Sequence, residues 1–215
     1  MTTNNRIINP APPNLPLSTD QYDRRYQDQF LNILRLYFNQ LQNSLTELLG
    51  NTGGRYVAFP YGAFSDFTRQ TATVNTATLM ALDTTDFSNT VSLQTGSKIT
   101  VANPGIYNLQ FSVQLQNLDN APQDVFIWLK QNGTDIVGST GKVGMPARKS
   151  AGVPFHDIKG WNYFLSMNAN DYVQIYWSTT NASVTIETYA ASGTPTKPST
   201  ASVVATLSFV SALPP

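Results

Sequence analysis

The single histidine of the chain, His156, stands beside an acid in VPFHDIKGW. A His-Asp pair is the simplest form of a base with its orienting carboxylate, the couple that hydrolytic chemistry uses. The spacing argues against it. Neighbours on an extended chain point to opposite sides, and no Gly-x-Ser-x-Gly elbow accompanies the pair. His156 therefore reads as a loop or interface residue. Asp83 and Asp86 in ALDTTDFSN offer hard oxygen ligands. Calcium takes about six to eight such ligands, and no Asp-rich loop surrounds the two acids, so they read as turn residues. The short basic run PARKS, residues 146–150, reads as a solvated turn rather than an anion site. No phosphate-cradling glycine loop, zinc-ligand cluster or dinucleotide fingerprint occurs. With no cysteine in the chain, thiolate chemistry and disulfides are absent too. The expectation is a protein that is not an enzyme, with no catalytic, metal or cofactor-binding residues. The two Asn-x-Ser/Thr sequons at Asn132 and Asn181 read as incidental.

Thirteen basic residues balance thirteen acidic ones, and charged residues make up only 12% of the 215. A neutral chain without a basic stripe is a poor ligand for nucleic acid or an anionic membrane. No window approaches the roughly eighteen apolar residues of a membrane span, and MTTNNRIINPAPP lacks a signal-peptide core. Assembly in a cytoplasm, with release by lysis, is the expected route to the outside. The outer surface has to be built from Asn, Gln, Ser and Thr.

Four regions must position whatever the chain presents. Residues 1–17 hold Pro10, Pro12, Pro13 and Pro16, which favour an extended arm able to anchor on a neighbour. Residues 18–50 begin with the potential caps Ser18, Thr19 and Asp20 and continue without Gly or Pro to Gly50. Leu31, Leu34, Phe38, Leu41, Leu45 and Leu48 recur at alternating spacings of three and four, an amphipathic helix with a heptad stripe. A shorter stripe of Phe30, Ile33 and Tyr37 widens the apolar face. Such a helix packs either on its own domain or on copies of itself. Residues 51–70, carrying Tyr56, Phe59, Tyr61, Phe64 and Phe67 around Pro60 and Gly62, read as an aromatic linker.

From residue 71 the pattern is one of short strands and turns. In GIYNLQFSVQLQN, residues 105–117, Tyr107, Leu109, Phe111, Val113 and Leu115 alternate with polar residues, giving one buried and one polar face. Residues 76–82, 98–102 and 160–167 are further candidates, as are DYVQIYWS, SVTIETYA and VVATLSFVSA. Residues 191–202 read as a long loop. The stretch QDVFIWLKQNG differs from all of these. Val125, Ile127 and Leu129 face one way, Phe126 and Trp128 the other, and an antiparallel strand that is apolar on both faces needs two covers. Either a neighbouring subunit or the chain's own helix or linker must supply the second one.

The order of these elements resembles the jelly-roll domains of the complement-head and tumour-necrosis-factor-like superfamily. KITVANPGIYNLQFSVQL carries the Pro104-Gly105 step into a strand with Tyr107. VFIWLKQNGTDIVGS is similar to the hairpin that follows it, FLSMNANDYVQIYWS to the turn through Asn170-Asp171, and ATLSFVSALPP to the closing strand. The resemblance implies a mainly β, antiparallel jelly-roll sandwich over 71–215, preceded by the arm and helix. It also implies a trimer packed through the faces of one sheet. Phe126 and Trp128 are then expected at the subunit contact, with Tyr163, Tyr176, Trp177 and the leucine-rich helix adding to it. The N-terminal half, with the Gly-Gly-Arg-Tyr and Phe-Pro-Tyr-Gly-Ala-Phe stretch at 53–64, resembles structural proteins of tailed bacteriophages. That implies a structural virion component: a trimeric capsid decoration, knob or head fibre bound to other virion proteins. The alternative is a tail-associated fibre or adhesin that binds a host glycan or protein.

Overall fold

A computed structural model describes residues 10–17, 20–49 and 59–213. The chain divides into two compact units, Met1–Ala58 and Phe59–Pro215. In the first, residues 10–17 form neither helix nor strand; Pro10, Pro13 and Pro16 are half-buried and Pro12 is exposed. One helix follows, α1 (Arg24–Leu49). It starts later than the Ser18–Asp20 signals suggest, because Asp23 is the cap: its carboxylate accepts a hydrogen bond of 2.8 Å from the Arg25 amide. Ser18 and Thr19, the helix-stop signals from Gly50 to Gly54, Tyr56, and the side chain of Leu48 lie outside the described residues.

The second unit is all β. Its opening strands are β1 (Tyr61–Asp66), β2 (Gln70–Thr71), β3 (Thr78–Leu79), β4 (Thr84–Asn89) and β5 (Val91–Gln94). Next come β6 (Lys98–Val101), β7 (Gly105–Asn117), β8 (Gln123–Gln131), β9 (Thr134–Asp135) and β10 (Gly141–Met145). Then β11 (Phe155–Met167), β12 (Tyr172–Thr179) and β13 (Val184–Ile186) precede a small hairpin of β14 (Ser192–Gly193) and β15 (Thr196–Lys197). The last strand is β16 (Val203–Ser211).

Pairing is antiparallel throughout the two large sheets. In the first, β4, β1, β16 and β7 are successive neighbours, β11 lies on the other edge of β7, and β13, with β2 outside it, pairs with the last residues of β7, past the stretch that β16 covers. In the second the order is β10-β8-β12-β6-β5. The eight principal strands thus alternate as β1-β16-β7-β11 against β6-β12-β8-β10, so that chain neighbours repeatedly cross between sheets. That is the strand order of a jelly roll.

Alternation builds the core. Tyr107, Leu109, Phe111, Val113 and Leu115 of β7 point inward from one sheet. Val125, Ile127 and Leu129 of β8, with Val173, Ile175 and Trp177 of β12, meet them from the other. Tyr107 is wholly buried, and its hydroxyl donates to the Asn103 carbonyl at 2.8 Å, so the ring is buried without an unmet polar group.

The stretch expected to be an aromatic linker is in part the first strand, and the sandwich starts at Phe59 rather than at 71. Gly62 makes this possible. A Cβ there would lie 2.5 Å from the Phe64 ring, so only glycine leaves space for that ring to fold into the core. The expected 191–202 loop holds the β14–β15 hairpin.

Two turns are tied together at one end of the sandwich. Asn132 and Gly133 both have positive φ, 51° and 82°, as the tight turn between β8 and β9 requires. Asp171, in the turn before β12, accepts hydrogen bonds from the Asn132 side chain at 2.7 Å, the Asn168 amide at 2.7 Å and the Gln131 side chain at 3.2 Å. Burial pushes the Asp171 carboxyl up, but these bonds outweigh it and hold it below the ordinary 3.8. A carboxylate depressed in the folded state adds stability that is complete above its unfolded pKa and is lost as pH falls through the folded one. Asp171→Asn is therefore expected to be less stable than the parent at pH 6, with the gap closing as the pH drops below 3.8. Urea unfolding at a series of pH values checks this; a gap that stays constant with pH contradicts it.

Candidate functional site

The structure separates the one residue pair that suggested catalysis. His156 and Asp157 are consecutive on β11, so their side chains leave on opposite faces. The His156 ring lies edge-on to Tyr189, with Nδ1 2.8 Å from the Tyr189 hydroxyl. Asp157 instead pairs with Lys159 at 2.8 Å. Burial and then the nearby Glu187 push the Tyr189 hydroxyl above its ordinary value, so it is a phenol and not a phenolate beside the imidazole. Glu187 itself is held by Arg69 at 2.8 Å and by Thr185 at 2.6 Å.

The remaining polar candidates are occupied locally. Asp86 accepts from the Ser65 hydroxyl at 2.9 Å and Asp83 from Thr84 at 2.8 Å. Among the described residues no group of three or more His, Cys, Asp or Glu side chains converges. In the basic run, the Arg148 amide donates to the Asp119 carbonyl at 2.8 Å and pins the loop to the end of β7. Asn181 donates to Asp119 at 2.6 Å, and Asn132 is engaged with Asp171. Both sequon amides therefore have structural partners.

The chain's broadest chemical features are the two outer sheet faces, which differ. On the second sheet, Phe126 and Trp128 do face away from the core, and the sheet itself supplies their cover. Trp128 lies opposite Tyr176 with ring centres 6.1 Å apart, and its indole N–H donates to Asp135 at 2.8 Å. Lys130 sits over the Tyr176 ring at 4.7 Å and pairs with Asp135 at 3.3 Å. Lys142 sits over the Phe126 ring at 5.7 Å and pairs with Asp124 at 2.8 Å. Lys98 caps Tyr172 in the same manner at 4.6 Å. The lysine ammonium groups sit over the ring faces, and those of Lys130 and Lys142 are also paired with acids, which lets a two-sided strand face solvent.

The five residues expected at one contact are thus not together. Phe126, Trp128 and Tyr176 share the outer face of the second sheet. Trp177 points the opposite way from Tyr176 and is wholly buried in the core, so it is not a surface residue. Tyr163 belongs to the first sheet, where it pairs with Leu109 and packs inward against the core.

The outer face of the first sheet holds what sequence reading missed. Strands β11, β7 and β16 are neighbours there. Their outward residues are the even-numbered ones: Ile158, Gly160, Asn162 and Phe164 on β11, Asn108 to Gln114 on β7, and Val204 to Ser208 on β16. Across these positions there is no Asp, Glu, Lys or Arg; His156 lies at one end. Ile158 is 60% exposed and Phe164 57%, with Val204 and Val210 also open. Between the two large side chains the surface is low. Gly160 lies opposite Ser112, and a Cβ on it would come within 2.3 Å of the Phe111 carbonyl oxygen. Beside Phe164, the Asn108 side-chain oxygen is buried without a hydrogen-bond partner. The signal was present in β11, where Ile158 and Phe164 share one parity and Trp161, Tyr163 and Leu165 the other. His156, Gly160 and Asn162 dilute it.

No protein-family model matches the chain, and no curated protein matches it in sequence. Among the described residues, no helix is long and apolar enough to cross a membrane.

Trp128 and Trp177 test the assignment of the faces. Trp177→Ala is expected to cost about 3–5 kcal/mol, as for a fully buried ring, and Trp128→Ala about 1–3 kcal/mol, as for a half-covered one. Chemical denaturation of both variants checks this; equal costs contradict the assigned burial.

Proposed function

We propose that this protein is a non-enzymatic structural component of a tailed-phage virion. It is a trimeric surface appendage whose copies meet through the outer face of the first sheet, with the N-terminal arm and helix attaching it to capsid or tail proteins. The observation that carries this reading is the contrast between the two faces. One is capped by lysines and acids and suited to water. The other is uncharged, with Ile158 and Phe164 standing above a low Gly160–Ser112 floor.

The magnitudes are consistent with association but not with these two residues acting alone. Completing their burial is worth about 1–2 kcal/mol apiece. Association costs about 4–15 kcal/mol. Six such side chains around a threefold axis give about 6–12 kcal/mol against two association steps that together cost about 8–30 kcal/mol, so Val204, Val210 and the polar contacts of the face have to supply the rest. The subunit contact is thereby moved from the Phe126–Trp128 face to the opposite sheet. The virion assignment rests on the resemblance of the N-terminal half, and assembly in a host cytoplasm follows from it.

A second reading has its own support. The rings of Phe126, Trp128 and Tyr176, rimmed by lysines and acids, form an aromatic surface of the kind that stacks on sugars, which favours a tail-associated adhesin for a host glycan. In either case the uncharged face is the subunit contact.

Native mass measurement of the purified protein is expected to give three copies. Ile158→Asp with Phe164→Asp should reduce it to a monomer, whereas Phe126→Ser with Trp128→Ser should leave the trimer assembled. The reverse outcome would place the contact on the second sheet. Electron microscopy of intact particles, set against binding of the isolated protein to whole cells and glycans, separates the virion-surface role from the adhesive one.

A further inference from the structure

Helix α1 is long but weakly supported from within. It has no acidic residue in its first turn and no basic residue in its last. The one ion pair within it among the described residues, Arg24–Asp28, is 4.0 Å long and open to water. Surface pairs of that kind contribute little, and most helical stability comes from packing an apolar face. That face is only partly occupied. Leu34 and Leu41 are half-buried, but Leu31 and Phe38 are each 58% exposed and Leu45 46%. These three are spaced seven residues apart and form a straight open edge along the helix.

The width and chemistry of the face indicate what covers that edge. At about 100° per residue, the apolar arc from Ile33 round to Leu31 spans about 160°. A two-stranded seam uses only the narrower a and d stripe. With Leu31, Phe38 and Leu45 at a, and Leu34 and Leu41 at d, the flanking g positions hold Phe30, Tyr37 and Ser44, and the e positions Arg35 and Gln42. Apolar g positions suit a bundle of more than two strands. In a parallel arrangement g faces the e position of the next heptad on a neighbour. Phe30 then meets Arg35 of another copy, and Tyr37 meets Gln42. From Phe30 to Leu45, Arg35 is the one charged residue at the a, d, e and g positions, and a guanidinium beside a ring is favourable. One heptad earlier the same register places Arg24 at a, so the seam starts at Phe30.

The geometry points to a second copy of this chain as the occupant: α1 forms a parallel, in-register three-helix bundle with the helices of two other copies, closed by Leu31, Phe38 and Leu45. The number three and the parallel direction rest on the trimer proposed for the sandwich; the pairing of helices through this face does not.

Because the chain has no cysteine, single-cysteine variants of the full protein report the bundle without background. Leu31→Cys and Leu45→Cys should each form a disulfide with itself under mild oxidation, read by non-reducing gel and intact mass. At most about two of every three chains can be linked, since one sulfur of three has no mate. Leu36→Cys, exposed but outside the arc, should link far less. Circular dichroism confirms that each variant is folded. Linking of Leu31→Cys only to Leu45→Cys in a mixture would overturn the parallel direction, and equal linking through Leu36→Cys would overturn the assigned face. If neither linked while the Ile158 and Phe164 variants still broke the trimer, the bundle would fall and the sheet contact would stand. Linking in a protein indifferent to those sheet variants would do the opposite.

Discussion

Every strand of a sandwich has two faces, and the core accounts for only one. The other has to suit water or another protein surface. In this chain the two sheets meet that requirement by different chemistry. The β8–β12 pair keeps large rings on its outside and makes them tolerable with lysines whose ammonium groups lie over the rings and are matched by Asp124 and Asp135. The β7–β11–β16 surface has none of that apparatus. Its amides and hydroxyls are neutral, and its largest side chains stand open. Part of the chain's charge thus has a spatial meaning: Lys98, Lys130, Lys142, Asp124 and Asp135 stand where rings need cover.

Much of this was legible in the chain, for identifiable reasons. β7 could be read from end to end because strict alternation over thirteen residues has no other interpretation. The split of β8 into an inward Val125-Ile127-Leu129 set and an outward Phe126-Trp128 set followed from the same parity, and Asn132-Gly133 announced its turn. β1 was not legible, because Pro60 and Gly62 read as breaks, and the packing of the Phe64 ring over Gly62 becomes visible only in three dimensions. The edge segments β4 and β10 were missed because they carry few apolar residues; backbone bonding to β1 and β8 defines them. The grouping of Trp177 with Tyr176 followed ring size where parity should have decided.

The uncharged face was hidden for a deeper reason. Ile158, Phe164 and Val204 become one surface only once β7 lies between β11 and β16, and that order joins segments about fifty to a hundred residues apart in a jelly roll. Local periodicity says which way each residue points within its own strand. It is silent on which strand comes next to it. The same limit applies to the lysine caps: Lys98, Lys130 and Lys142 are unremarked in the sequence and acquire their role from cross-strand register.

The pairing of β1 with β16 has a practical side. The Phe209 amide donates to the Pro60 carbonyl at 2.9 Å, so the last strand finishes beside the point where the chain enters the sandwich. At the other end, where Asp66 pairs with Val203, lie the connections around 118–122, 146–153 and 180–183. A tag appended behind Ser211 would therefore crowd the entry side, whereas a short peptide spliced beside Gly152, in the exposed turn between β10 and β11, would be carried at the far end. For display of an epitope or an affinity handle, that turn is the better graft.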